Sequence, residues 1–402
     1  MVRIGAGMQG WLRQDGRKGI RNHIAVAYLV ECAHHVAREI AAPLRDDGVH
    51  LIGFPGCYPN DYALHMMERL CTHPNVGAVL LVSLGCESLD RHRLRCTIGA
   101  SGRPVELVVI QGTGGTRASI AQGRAWVAAQ RAALDGALMV PMAACDLVVG
   151  TVCGGSDGTS GLTGNPAAGI AFDLLGAAGA ACIFEETGEL IGCEHIMAAR
   201  AATPALGAEI RASVDKAARY YETMGYGSFA AGNAEGGLTT IEEKSLGAYA
   251  KSGSATITGL IKPGDIPRRG GLYLLDVVPD GEVRWGFPNI SDNAEIVELI
   301  ACGAHCVLFV TGRGSVVGSA ISPVVKICAN PDTYRRMADD MDVDAGRILD
   351  GRAELAEVGE EIAALVLGLA AGGRTRSEEL GHQEFILTYK SFEPIGPACL
   401  PA

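Results

Sequence analysis

The chain has 402 residues, 48% of them hydrophobic and 20% charged, so about two packed domains are expected and wholesale disorder is excluded. Lys+Arg 34 against Asp+Glu 45 leaves a net charge of −11, which argues against a nucleic acid or an anionic membrane surface as the main partner. The 54 glycines beside only 5% aromatics point to an α/β enzyme with glycine-lined loops, not a β-sandwich or a repeat scaffold. The N-terminal stretch MVRIGAGMQGWLRQDGRKGIRN lacks the apolar segment of a signal peptide. Apolar runs such as 76–84 and 363–371 are too short to span a bilayer. The expected compartment is cytoplasmic. The 13 cysteines, with no C-x-x-C pair, then read as buried thiols or ligands and not as a disulfide framework.

In chain order, short aliphatic runs recur, each ending at a reactive or glycine-rich tip. Run 24–30 ends at Glu31-Cys32, 49–54 at Gly56-Cys57, 78–84 at Gly85-Cys86-Glu87, and 105–110 at a GTGGT turn. Run 147–152 ends at Cys153-Gly154-Gly155-Ser156-Asp157, 180–184 at Glu185-Glu186, and 306–310 at Thr311-Gly312-Arg313-Gly314. Runs of this length suit strands buried on both faces. Helical patterns at 33–41, 61–71, 117–134 and 165–176 lie between them. The alternation predicts an α/β fold of two doubly wound, mainly parallel-sheet (Rossmann-like) domains. The boundary falls around 130–141, giving a smaller domain at 1–130 and a larger one at 131–402. The glycine-rich stretch 225–237 is read as a flexible loop and a candidate lid.

Ligands of such sheets bind beyond the carboxyl ends of the strands. Four tips carry a cysteine: Cys32, Cys57, Cys86 and Cys153. Cysteine is also an ordinary small core residue, so a ligand set and plain burial both stay open. The segment 10–22 places Arg13, Arg17, Lys18 and Arg21 on a glycine-rich turn, either a carboxylate cradle or a solvated surface turn. Glu185, Glu186 and Glu189 are strand-end carboxylates, candidate bases or ligands, or a hydrated loop. His195 reads as a surface residue. Asp339, Asp340, Asp342 and Asp344 read as a solvated helix end, and Glu242-Glu243-Lys244 after Thr239-Thr240 as helix capping. Neither the GxGxxG fingerprint nor the phosphate-loop spacing is present.

Taken in order, DGRKGIRN (15–22), LGCE (84–87), CGGSDGTSGLTGNPAAG (153–169), GGLTTIEEKSLG (236–247), TGRG (311–314) and RMADDMDVDAGRI (336–348) resemble the altronate/galactarate dehydratase family. Relatives of that family include the large subunit of sulfolactate sulfo-lyase. The resemblance runs from Gly10 to Gly351, with a fainter match at 381–385. Two departures stand out: Gly56-Cys57-Tyr58 replaces a glycine-cysteine-glycine turn, and the loop at 232–237 is shorter than the family's proline-containing version. The first motif lies near residue 1, which resembles the split form in which a small subunit supplies a further domain.

The resemblance implies a lyase, a hydro-lyase that removes water from an aldonate or aldarate such as altronate or galactarate and leaves a 2-keto-3-deoxy acid. Two alternatives accompany it: the large subunit of a sulfo-lyase releasing sulfite from sulfolactate, and a subunit inactive without its small partner. The chemistry needs a base for the proton beside a carboxylate, an acid or Lewis acid for the leaving group, and cationic and amide groups to orient a hydroxy-acid anion. Base or acid candidates are Glu185, Glu189 and Lys244. Substrate-orienting candidates are Arg17, Arg21, Asn22, Ser156, Asp157, Asn165, Arg313 and Lys326. The implied cofactor is Fe(2+) or another divalent metal on Cys57, Cys86 and Cys153, with Cys32 as a further ligand; an iron–sulfur cluster ranks behind it because its close cysteine spacings are lacking. The implied partners are the substrate anion, a small subunit and further copies of this chain, with no nucleic acid and no membrane.

Overall fold

The computed structural model describes residues 7–58, 60–185, 187–225, 229–281 and 291–390. Fourteen strands are described: β1 (Gln9–Leu12), β2 (Lys18–Gly19), β3 (His23–Tyr28), β4 (Val49–Gly53), β5 (Val76–Ser83), β6 (Val105–Val109), β7 (Met139–Pro141), β8 (Val148–Cys153), β9 (Ala181–Phe184), β10 (Ile257–Ile261), β11 (Gly271–Leu275), β12 (Cys306–Thr311), β13 (Val324–Cys328) and β14 (Val343–Asp344). They form a four-stranded sheet in the order β4-β3-β5-β6, a seven-stranded sheet in the order β10-β11-β9-β8-β12-β13-β14, and a three-stranded sheet β2-β1-β7. The two large sheets are parallel throughout and the small one is antiparallel. The protein is therefore α/β, and all seven aliphatic runs are strands.

Burial on both faces explains why those runs read as continuous. Ile24, Val26, Ala78, Leu80 and Val82 face the helices Glu31–Ala41 and Thr116–Leu134. The alternate residues Ala25, Ala27, Val79 and Leu81 face the helices Asp61–Cys71 and Arg91–Ala100. This second core continues, through the helix Asp292–Ala301, to Val152, Ile183, Leu275, Val307 and Phe309 of the seven-stranded sheet. The two sheets thus share one layer of helices. The far face of the larger sheet is covered by Gly164–Ala177 and Leu355–Ala370. The apolar run 363–371 belongs to this second helix.

The amino ends of both sheets meet at one buried amide. Asn75 accepts from the backbone N–H of Ile20 and Arg21 through Oδ1, at 2.9 and 3.2 Å. Its Nδ2 donates to His305 O, Ile321 O and Ser322 Oγ at 3.3, 3.2 and 3.1 Å. Within the expected boundary region, β7 pairs with β1, so that stretch is ordered sheet.

Candidate functional site

The carboxyl ends of β8, β9 and β12 open onto loops 154–163, 187–193 and 312–323 and onto the helix Ile241–Tyr249. The 154–163 loop is held by Asp157, whose carboxylate accepts from Thr159 N (2.9 Å), Thr159 Oγ1 (2.6 Å) and Asn330 Nδ2 (2.8 Å). Glycine at 312 is required there, since a Cβ would lie 2.1 Å from Asp157 Oδ1. Glycine at 161 lets the loop touch the 241–249 helix, where a Cβ would lie 2.8 Å from Gly247 Cα. The two glycine-rich motifs are therefore docked on each other by backbone approach.

Between them lies a cleft of about 240 Å³ lined by Ser156, Asp157, Ser160, Asn165, Lys244 and Leu246, among others. That is below the range of pockets for drug-sized ligands and suits a small polar molecule. Four sequence-derived candidates, Ser156, Asp157, Asn165 and Lys244, meet here. Lys244 is buried and forms an ion pair with Glu189. Burial opposes its charge, but Glu189 holds its pKa above the ordinary lysine value. The helix start follows the capping chemistry: Thr240 accepts from Glu243 N, and Glu243 accepts from Thr239 N and Oγ1. Asn165 Nδ2 donates to Gly247 O at 3.0 Å, while its Oδ1 faces Cys153 Sγ at 3.7 Å. Lys251 Nζ reaches the same sulfur at 2.9 Å.

Behind the Lys244–Glu189 pair lies a row of buried carboxyl groups. Glu185, just past β9, is fully buried, and neither carboxyl oxygen has a hydrogen-bond partner among the described residues. Burial, followed by the negative charge of Glu295, drives its pKa well above the carboxylate range, with Lys251 opposing. Asp292, Glu295 and Glu298 sit at i, i+3 and i+6, on one face of the helix Asp292–Ala301. Burial and Glu189 push Asp292 up to about 6. Burial and Asp292 push Glu295 up to about 8. Glu298 accepts from Tyr62 Oη and Lys390 Nζ, both at 2.6 Å. Lys251, Asp292, Glu295, Glu298 and Lys390 are not among the sequence-derived candidates. A signal for three of them exists: acidic residues three apart within the otherwise apolar stretch DNAEIVELIA.

Other candidates lie elsewhere. Arg17, Arg21 and Asn22 sit at the amino ends of the strands; β8 alone separates its two ends by on the order of 17 Å. Arg17 pairs with Asp15 at 2.7 Å and donates to Thr72 O at 2.7 Å. Arg21 binds Glu378 through two nitrogens, at 2.6 and 2.9 Å, and donates to Gly373 O. Asn22 accepts from Arg13 Nη1 at 3.0 Å and donates to Leu134 O at 3.2 Å. In the structure Arg17 and Arg21 are spent on backbone carbonyls and on Asp15 and Glu378, away from the cleft. Lys326, inside β13, has its Nζ 3.3 Å from His382 Nδ1 and is buried beside the C-terminal segment. Arg313 is on the cleft side, 41% exposed in its side chain and paired with Glu235 at 3.0 Å.

Glu235 ends the short helix Ala231–Glu235, where Asn233 Nδ2 donates to Ser156 O at 3.1 Å. The described part of the candidate lid is thus pinned to the 154–163 loop; its residues 226–228, like Glu186 and Cys399, lie outside the described residues. Asp342 is not a solvated helix end: it accepts from Lys326 N and Arg376 N, and burial pushes it up to about 6. His195 is exposed, as expected of a surface residue.

Cys32, Cys57 and Cys86 are exposed at the tips of the four-stranded sheet, whereas Cys153 is buried at the tip of β8. Among the described residues no three His, Cys, Asp or Glu side chains converge as a metal site. Burial raises the Cys153 thiol, with Lys251 opposing. This donor set, as arranged, does not fit a divalent metal.

The fold and cleft define an α/β protein with a polar, small-molecule-sized site at the carboxyl edge of a parallel sheet, backed by buried acid groups and lysines. Residues 10–135 match the family described as D-galactarate dehydratase/Altronate hydrolase, second domain, and residues 144–392 match D-galactarate/Altronate dehydratase, C-terminal. The chain belongs to the D-galactarate/altronate dehydratase family, whose named relatives are lyases. It is 34% identical to the (2R)-sulfolactate sulfo-lyase subunit beta of Chromohalobacter salexigens, over 94% of this chain and 96% of that protein. It is 28% identical to altronate dehydratase of Escherichia coli, over 94% of this chain and 77% of that protein. With galactarate dehydratase (L-threo-forming) of Escherichia coli it shares 31%, over 79% of this chain and 61% of that protein. Among the described residues no helix is long and apolar enough to cross a membrane.

Proposed function

We propose that this chain is the large subunit of a lyase that eliminates across C2 and C3 of a small 2-hydroxy acid, with sulfolactate as substrate and sulfite as leaving group. Lys244, which lines a small polar cleft and is paired behind it with Glu189, carries the reading, and the 34% identity across nearly all of a sulfo-lyase subunit supports it. Lys244 binds the substrate carboxylate and stabilises the enediolate that forms when C2 loses its proton. Glu189 orients Lys244 through Oε1, and its Oε2, which has no partner among the described residues, takes that proton. The electron pair of the C2–H bond forms the C2=C3 bond, and the C3–S bond breaks with its pair leaving on sulfite. The enol then takes a proton at C3 and gives pyruvate.

A second reading, water loss from altronate or galactarate, rests on Glu185. Hydroxide leaves only with a proton, and a carboxyl group kept neutral by burial can donate one. In either case the relative's description as a subunit supports a small partner chain, and Leu162 and Leu246, exposed beside the cleft, are the surface on which it closes the site. The test is an anaerobic assay of sulfolactate, altronate and galactarate, with and without added Fe(2+) and small subunit, measuring sulfite and 2-keto acid together. Equal sulfite and pyruvate support the first reading. A 2-keto-3-deoxy acid without sulfite transfers support to the second, and no turnover under any condition removes both.

A further inference from the structure

The segment 381–390 has no helix or strand, yet it is tied down along its length. His382 stands against Lys326 of the seven-stranded sheet, Glu384 accepts from Gly318 N at 2.8 Å, and Leu387 is buried in the shared core. Tyr389 then crosses to the four-stranded sheet: its hydroxyl accepts from Tyr58 N at 2.9 Å, and its ring packs edge-on against Phe54. The next residue, Lys390, enters the interior. Its ammonium meets Glu298 Oε1 at 2.6 Å, with the two side chains 2% and 0% exposed. A lysine this buried needs a partner, and here the partner lies on the helix that also carries Asp292 and Glu295, whose charges are felt by the Glu189 side of the Lys244–Glu189 pair.

We propose that Lys390 is a positioning residue of the lyase site: delivered by the C-terminal segment, it neutralises Glu298 and so sets the charge of the carboxyl row behind the Lys244–Glu189 pair. The inference rests on the functional reading above for its catalytic consequence, but its electrostatic half is independent of substrate. The groups facing the row are Tyr62 from the 61–71 helix, Asp276 past β11, Glu185 and Glu189 past β9, and Lys244 and Lys251 from residues 241–252. Lys390 is the cation that bonds Glu298, and it also lowers the pKa of Glu295. Removing its charge therefore moves both carboxyls toward protonation.

The experiment compares wild type, Lys390→Met, Lys390→Arg, Glu298→Gln and the double variant Lys390→Met/Glu298→Gln. One readout is the carboxyl titration of protein labelled with 13C at glutamate side chains, which needs no substrate. The other is the pH dependence of turnover on whichever acid the wild type accepts. Lys390→Met should move the Glu295 titration and the alkaline limb of kcat upward by about one pH unit, lower kcat about tenfold, and leave KM within about threefold. Glu298→Gln should move both downward, because it removes a neighbouring negative charge. Lys390→Arg and the double variant should lie near wild type; the double variant removes both charges and keeps the test open if Lys390→Met fails to fold. Titration shifts of these signs in a protein without turnover would uphold the charge-setting role while overturning the lyase reading. An unmoved Glu295 titration in folded Lys390→Met, or a double variant as impaired as the single one, would reduce Lys390 to a structural anchor.

Discussion

The turn at 15–22 and the loops around the cleft look alike as sequence: both are glycine-rich and both carry cations. In space they are opposites. Arg17 and Arg21 donate to carbonyls and to Asp15 and Glu378, at the amino ends of the strands. Lys244 and Lys251 stand at the carboxyl ends among acid groups that outnumber them, and both oxygens of Glu185 are left without partners among the described residues. Cations matched to carbonyls and carboxylates hold structure together, whereas a surplus of buried, imperfectly matched acid groups is the pattern that makes a region a candidate site.

Substitutions should separate the two regions. Lys244→Met removes the proposed enediolate stabiliser and should lower kcat/KM by about a thousandfold; a loss of less than tenfold would take Lys244 out of the proposed mechanism. Arg21→Met should do the reverse. It breaks a largely buried ion pair and should destabilise the fold by about 3 kcal/mol, read from urea unfolding, while kcat/KM stays within about twofold. A raised KM with unchanged stability would return Arg21 to the substrate. A subtler test uses pH. Burial and the charge of Asp292 push Glu295 up to about 8 in the fold, from its ordinary 4.5. The folded state then holds more protons between those values, so stability falls as pH rises through that window. Glu295→Gln should flatten this part of the stability profile, and an unchanged slope would mean that Glu295 is ionised in the fold. The smallest effect is expected for Arg313→Lys. Its guanidinium is half-exposed and paired with Glu235 through one nitrogen, so KM should rise about threefold if it makes a planar two-point contact with the substrate carboxylate. Unchanged kinetics would leave the TGRG segment as a turn.

Much of the sheet is legible because strands buried on both faces leave unbroken aliphatic runs. Those not found in the sequence have physical reasons. β13 carries Lys326 in its middle, and β10 is a half-buried edge strand with Gly259 inside it. The 21-residue helix Pro204–Met224 had a readable start, since Thr203 caps Leu206 N and Pro204 occupies the first turn. At the site, Ser156, Asn165 and Lys244 could be named because glycine-rich motifs hold them. Glu298 and Lys390 could not be paired from the sequence, for 92 positions separate them and no local pattern joins a coil lysine to a helical glutamate.

The helix layer shared by the two sheets limits how the molecule can work. Enzymes made of two α/β lobes often admit substrate by swinging the lobes apart about a hinge. Here such a swing would split one continuous apolar core and strip Asn75 of partners on both sides. Access to the cleft without such a swing would need only small movements of the 229–247 stretch and the adjoining glycine loops, over a frame that stays shut.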